Sequence, residues 1–355
     1  MNIAILNMQA QDKNAVFNNY NLKETARLLS LDGHDIITSL STIAPQAPAL
    51  KDLEFLASNE LDAIIITGDY VSILAEFKKA HSIKDDFIAY LVDNKMYFFI
   101  DSLSTDYITN TLAPALNSRQ KSVYRSCTFK TFGLTKDDLL EKLKTQMRTK
   151  TKAYFKLVSL GHKNFEVILV YCIKSKKEAI ELLVKQTNEA LKDNIYSLDG
   201  SSLASVIIKT LELKNKTLSV AESFTGGALS AALVNIEGAS KVFKEGVCAY
   251  SDNSKLERLG VSGKTLNKNG AISIETAYEM AAKSLALNST DYCIATTGNA
   301  SNDTKTPTPC TFFIAVGSSK GIHIYDDLLS DSRQQVIEYG VNTALFHLYK
   351  IINSN

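Results

Sequence analysis

Ser240, Tyr250 and Lys255 bring a hydroxyl, a phenol and an amine into one short stretch of the chain. A lysine made neutral by burial can take a proton from serine, and a tyrosine can relay or donate one. Such a set suits attack on an amide carbonyl. No histidine lies near these residues, so a Ser-His-Asp triad is not available locally. The Ser-x-x-Lys spacing of β-lactamases is also missing here. On spacing alone a Ser/Lys amide hydrolase is one reading, and a structural corner with an ordinary surface lysine is the other.

The elements that must position these groups are legible nearby. An apolar run, Thr217 to Ala221, leads into the turn Glu222-Ser223-Phe224-Thr225-Gly226-Gly227. Ala228 to Ile236 then has helical spacing. A strand passing through a glycine turn into a helix aims backbone N–H groups at one point, which suits a phosphate. Gly246 to Tyr250 reads as a strand, and Ser251 caps a short helix that carries Lys255. Arg333 falls in the first turn of the last helix, about Asp331 to Ile352. A cation there opposes the helix dipole, so it either meets an anion or stays exposed and neutral in effect.

The chain has 355 residues, so two or three domains are expected. A net charge of +1 gives no electrostatic case for nucleic acid or an anionic membrane. Cys127, Cys172, Cys248, Cys293 and Cys310 form no C-x-x-C or Cys/His cluster, so neither zinc nor a disulfide framework is indicated. Apolar runs stay short of a membrane span and the start lacks a signal pattern. A cytoplasmic protein with reduced thiols is expected.

The first block alternates strands and helices. Strands are expected at Asn2 to Leu6, Asp35 to Leu40, Leu61 to Asp69 and Met96 to Ile100, with a helix over Asn21 to Leu31 ended by Gly33. That order argues a doubly wound sheet. Ligands in such sheets bind beyond the strand ends, here near Gly68 and Asp69, where a plain turn is the alternative. The second block reads β-α-β-β-α-β: Ser126 to Phe132, Leu134 to Met147 with Thr135 as N-cap, a hairpin around His162, Lys176 to Leu191, and Ile195 to Leu198. The third opens with a helix over Leu203 to Leu213. Ile274 to Leu287 is a helix whose Glu275 and Glu279 read as a solvated face. Strands follow at Asp291 to Thr297, Phe312 to Gly317 and Ile322 to Tyr325.

From about Ser201 to Leu348 the sequence resembles the C-terminal domain of the CinA family, the competence/damage-inducible proteins, which include nicotinamide-nucleotide amidases. The family's A-E-S-C-T-G-G stands as Ala221-Glu222-Ser223-Phe224-Thr225-Gly226-Gly227, with Phe for Cys. Its G-[SA]-S is Gly238-Ala239-Ser240. Its Y-S-N-x-x-K is Tyr250-Ser251-Asp252-Asn253-Ser254-Lys255. Gly270-Ala271-Ile272-Ser273 and Glu279-Met280-Ala281 match two further signatures. The resemblance implies Ser240 as nucleophile, Lys255 as its base and Tyr250 as an assisting hydroxyl. It also implies a substrate pocket that includes Ser223, Thr225, Gly226, Gly227, Thr297, Gly298 and Arg333. No metal and no cofactor are expected.

Two loops depart from the family pattern. T-G-I-A-G-P is replaced by Thr297-Gly298-Asn299-Ala300-Ser301-Asn302, and P-V-G-T-V by Thr308-Pro309-Cys310-Thr311-Phe312. Upstream the resemblance implies a molybdopterin-binding-like domain over 1–123 and a small KH-like domain over 124–200, before the amidase domain over 201–355. The family's G-D-E-L is Asn7-Met8-Gln9-Ala10 here, and its G-G-L-G-P-T-x-D-D has shrunk to Gly68-Asp69-Tyr70. The N-terminal domain is therefore expected to keep the fold without ADP-ribose pyrophosphatase activity. The whole is α/β. The expected reaction is hydrolysis of nicotinamide mononucleotide to the nicotinate nucleotide and ammonia, by a homodimer. The competing expectation is an inactive nucleotide-binding or scaffold protein.

Overall fold

The computed structural model describes residues 1–9, 22–43, 46–85, 89–101, 103–119, 124–144, 146, 152–300 and 309–354. Its contacts divide the chain into two compact units. One comprises 1–127, 144–158 and 168–187; the other comprises 128–143, 159–167 and 188–355.

The first unit opens with β1 (Asn2–Gln9), α1 (Leu22–Leu31), β2 (Asp35–Ile43), α2 (Gln46–Ala57), β3 (Ala63–Gly68), α3 (Val71–Ala80), β4 (Tyr90–Val92) and β5 (Lys95–Ile100). A helical stretch follows, made of α4 (Thr105–Tyr107), a π-helical turn (Ile108–Leu112) and α5 (Ala113–Asn117). The strands lie in the order β2-β1-β3-β5-β4, all parallel except β4. Ile3, Ile5, Ile65 and Phe98 pack on one face, and Ala4, Leu6, Ile64 and Ile66 on the other. Alternate residues of one strand thus enter two cores, which is why the strands read as continuous apolar runs. The doubly wound expectation holds. Gly68 has φ +94°, and a Cβ there would lie 2.1 Å from the Met8 carbonyl oxygen. Its role is to make this turn beside β1, with the Asp69 N–H donating to the same carbonyl.

Next come β6 (Tyr124–Phe132), α6 (Lys136–Leu143), β7 (Ala153–Gly161), β8 (Asn164–Cys172), α7 (Lys177–Leu191) and β9 (Ile195–Ser197). They follow the expected β-α-β-β-α-β order, with strands arranged β7-β8-β6-β9. Thr135 caps α6 as read from sequence. Its Oγ1 accepts from the Asp138 N–H, while Asp138 accepts from the Thr135 N–H.

The second unit continues with α8 (Leu203–Leu213), β10 (Leu218–Glu222), α9 (Ala228–Val234), α10 (Ala239–Val242), β11 (Phe243–Cys248), α11 (Asp252–Leu259), α12 (Gly263–Asn269), α13 (Ile274–Asn288), β12 (Tyr292–Gly298), β13 (Cys310–Ser318), β14 (Gly321–Leu329) and α14 (Arg333–Asn353). Its sheet has the order β11-β10-β12-β13-β14. β10 runs parallel to both neighbours, β11 and β12, whereas β13 is antiparallel to both of its own, β12 and β14. Residues of α8, α9 and α14 share one core with Leu218, Val220 and Ile294. Met280 and Ala281 of α13 share another with Ala221, Cys293 and Ala295. All five residues of β10 are buried, so the carboxyl end of this central strand delivers Glu222 and Ser223 to a defined place.

Glu275 is exposed as its spacing suggests, but Glu279 is not simply solvated. Glu279 accepts from the Ser262 N–H at 2.6 Å and from Thr265 Oγ1 at 2.5 Å, and so holds the start of α12. That helix carries few apolar residues, which is why periodicity alone does not reveal it.

Candidate active site

Lys255 is 1% exposed, although it sits on a short, mainly polar helix. Ser251 starts that helix by accepting from the Ser254 N–H, and Gly260 ends it in the left-handed region at φ +68°. Between these two stops the lysine side chain turns inward. Its Nζ donates to Ser223 Oγ at 3.0 Å, to the Ala249 carbonyl at 3.0 Å and to the Tyr250 carbonyl at 3.4 Å. Burial holds the ammonium below the ordinary lysine range, against the opposing pull of Asp252 and Cys248. Ser223 is itself buried, and its N–H donates to the Thr296 carbonyl on β12.

The structure therefore brings Lys255 to Ser223, not to Ser240. Ser240 is exposed on α10, ahead of β11, while Lys255 lies beyond the other end of that strand. The intervening strand, Phe243–Cys248, is about 20 Å long at roughly 3.3 Å per residue. Lys241, next to Ser240, pairs with Glu212 at the carboxyl end of α8, which places this turn at the starting edge of β10. Within one chain the expected Ser240–Lys255 pair is not made.

Tyr250 is 61% exposed, and its hydroxyl accepts from Arg333 Nη2 at 3.1 Å. The first turn of α14 thus reaches the strand end that carries Lys255. Arg333, Tyr250, Lys255 and Ser223 form one connected group; of the three residues expected as catalytic it holds Lys255 and Tyr250 and not Ser240.

The glycine turn takes another role than the expected phosphate cradle. Glu222, 1% exposed, turns its carboxylate onto the start of α9. Oε2 accepts from the Gly227 and Leu229 N–H groups, each at 3.0 Å, and from Thr225 Oγ1 at 2.8 Å. Oε1 accepts from the Ser230 N–H at 2.8 Å and from its hydroxyl at 2.5 Å. The anion at this helix start is the chain's own. Gly226 and Gly227 have φ of +60° and +98°, which lets the chain double back onto that carboxylate. Thr225 also shares a hydrogen bond of 2.8 Å with Thr296. The sequence signal for this role is an acid standing just ahead of a helix start. Substituting Glu222→Gln turns an amide NH₂ toward N–H donors and removes the charge. It is expected to lower stability by about 3 kcal/mol in urea unfolding, with an unchanged slope.

Thr297 and Gly298 are likewise accounted for by structure. Thr297 Oγ1 donates to the Ala271 carbonyl at 2.6 Å, tying β12 to the segment before α13. A Cβ at Gly298 would lie 2.5 Å from Phe312 Cβ, so only glycine fits beside β13. Residues 301–308 of the altered loop lie outside the described residues. Among the described residues no group of three or more His, Cys, Asp and Glu could hold a metal, and no helix is long and apolar enough to cross a membrane.

Fold and site together define an α/β protein with a buried serine–lysine pair at the carboxyl end of a central parallel strand. Residues 200–352 match the family model described as CinA C-terminal domain. A relative from Clostridium kluyveri, named for competence-damage induction, is 36% identical over 203 residues, or 56% of this chain and 49% of its own. A CinA-like protein of Endomicrobium trichonymphae is 33% identical over 242 residues, covering 65% of this chain and 56% of its own. The chain thus spans about half the length of the curated relatives it matches. A CinA superfamily structure from Klebsiella pneumoniae is 27% identical, with a TM-score of 0.41, and covers 43% of this chain and 97% of its own.

Proposed function

We propose that the protein is a nicotinamide-nucleotide amidase acting through Ser223 and Lys255. The observation that carries this reading is the 3.0 Å contact between Lys255 Nζ and Ser223 Oγ, with the lysine almost fully buried. Burial favours the neutral amine, and a neutral amine can accept the Ser223 hydroxyl proton along the same contact. Ser223 Oγ then bonds to the carboxamide carbon of the nicotinamide ring. The C–N bond breaks, the proton held on Lys255 passes to the departing nitrogen, and ammonia leaves. Water hydrolyses the acyl-serine, giving the nicotinate nucleotide and free Ser223. The N–H groups of Phe224 and Thr225, next in the chain, are the candidates for steadying the oxyanion. With the start of α9 occupied by Glu222, Arg333 is the residue suited to the substrate phosphate.

Purified full-length protein should release ammonia from nicotinamide mononucleotide, with formation of the nicotinate nucleotide followed by mass spectrometry. The absence of ammonia at high protein concentration would favour the inactive scaffold instead.

A further inference from the structure

The residue that follows Ser223 is held by an aromatic brace. Phe224, 3% exposed, stacks on Phe312 with ring centroids 5.2 Å apart and planes 17° apart. Phe312 meets the edge of Tyr339 at 5.8 Å. The Tyr339 hydroxyl donates to Asp327 at 2.5 Å. Lys163, in the turn between β7 and β8, lies 3.6 Å from Asp327 and 5.5 Å over the Tyr339 ring. His162 packs edge-on against the same ring at 4.5 Å. On its far side Phe224 abuts α14. A Cβ at Gly340 would lie 2.3 Å from Phe224 Cζ and 2.8 Å from Cε2.

We infer that the brace of Phe224, Phe312, Tyr339 and Gly340 is a positioning device that sets Ser223 Oγ against Lys255 Nζ. A peptide unit separates Ser223 from Phe224, and a clamped ring cannot shift without turning that unit. The Ser223 N–H donates to the Thr296 carbonyl on β12, so the peptide before Ser223 is tied to the sheet and the one after it to the clamped ring. The Tyr339–Asp327–Lys163 contacts fix the far end of the brace. None of these groups needs to touch substrate. As regards catalysis, the inference rests on the reading of Ser223 as nucleophile.

Gly340→Ala in the full chain tests it, because the new methyl must displace the Phe224 ring. Two readouts are followed: kcat and KM for ammonia release, and the titration of Lys255 observed by Cε-labelled lysine NMR. The expected result is a loss of tenfold or more in kcat (about 1.4 kcal/mol in the barrier), little change in KM, and a shifted Lys255 midpoint. Phe224→Leu removes the ring that the brace clamps and should move both readouts in the same direction, and Gly340→Ala/Phe224→Leu should lose little more than the worse single variant, because both changes act through one ring. Tyr339→Phe keeps the ring packing and removes only the hydroxyl bond, and should move both readouts the same way by a smaller amount. This variant decides the matter if Gly340→Ala fails to fold. Unchanged kcat and an unchanged Lys255 titration in the folded variants would overturn the inference, as would losses that simply multiply in the double variant. If the parent protein releases no ammonia while Gly340→Ala still shifts the Lys255 titration, the amidase reading fails and the positioning stands.

Discussion

Ser223→Ala is expected to lower kcat for ammonia release by about 10³-fold or more, while Ser240→Ala leaves turnover near that of the parent protein. The contrast follows from the strand between the two serines. Ser223 accepts from the buried Lys255 amine at 3.0 Å, and Ser240 is exposed at the opposite end of β11. Removing the Ser223 hydroxyl leaves Lys255 with the Ala249 and Tyr250 carbonyls as acceptors. The variant should therefore stay folded, at a cost of about 1 kcal/mol. Intact-mass measurement after rapid quenching should show an acyl adduct on the parent and on Ser240→Ala, and none on Ser223→Ala. Full turnover in Ser223→Ala together with loss in Ser240→Ala would reverse the assignment and require Ser240 to reach Lys255 from outside its own chain.

Much of this architecture was legible because local and global signals agree. β10 is a short apolar run bounded by polar residues, and Ser251 and Gly260 bracket α11 with the residue types that start and stop helices. The family resemblance, and not their position in the chain, groups Arg333 with Lys255 and Tyr250, and the structure brings the three together. The choice between two serines was not legible. Sequence distance favours Ser240, but a parallel strand carries the chain from one edge of the sheet to the other before Lys255 is reached. The phosphate cradle was misread for a related reason. Glycine turns before helices offer donors, yet the pattern does not say whose anion fills them, and Glu222 lies close enough to do so. The Phe224–Phe312 stack pairs residues far apart in the chain, so no local window reveals it.

The second large effect concerns the amine. Lys255→Met should cost about as much activity as Ser223→Ala, because nucleophile and base act as one unit. The parent enzyme should show a rate that rises with pH along a limb set by Lys255. Burial lowers this ammonium, so the midpoint falls below the ordinary lysine value of 10.5. The sign for stability is the same. A group whose pKa is depressed by folding adds stability above its unfolded pKa and loses it as pH falls through the folded one. The Lys255 part of stability should therefore fall between the unfolded value of 10.5 and the folded midpoint, activity should fall through that midpoint, and Lys255→Met should abolish both limbs. Asp252 supplies the control, since its carboxylate raises the Lys255 pKa from the first turn of α11. Asp252→Asn should move the activity limb to lower pH while leaving the plateau rate intact. A limb that stays in place, or moves toward alkali, would show that another group titrates in the rate, and the role of Lys255 as base would fall with it.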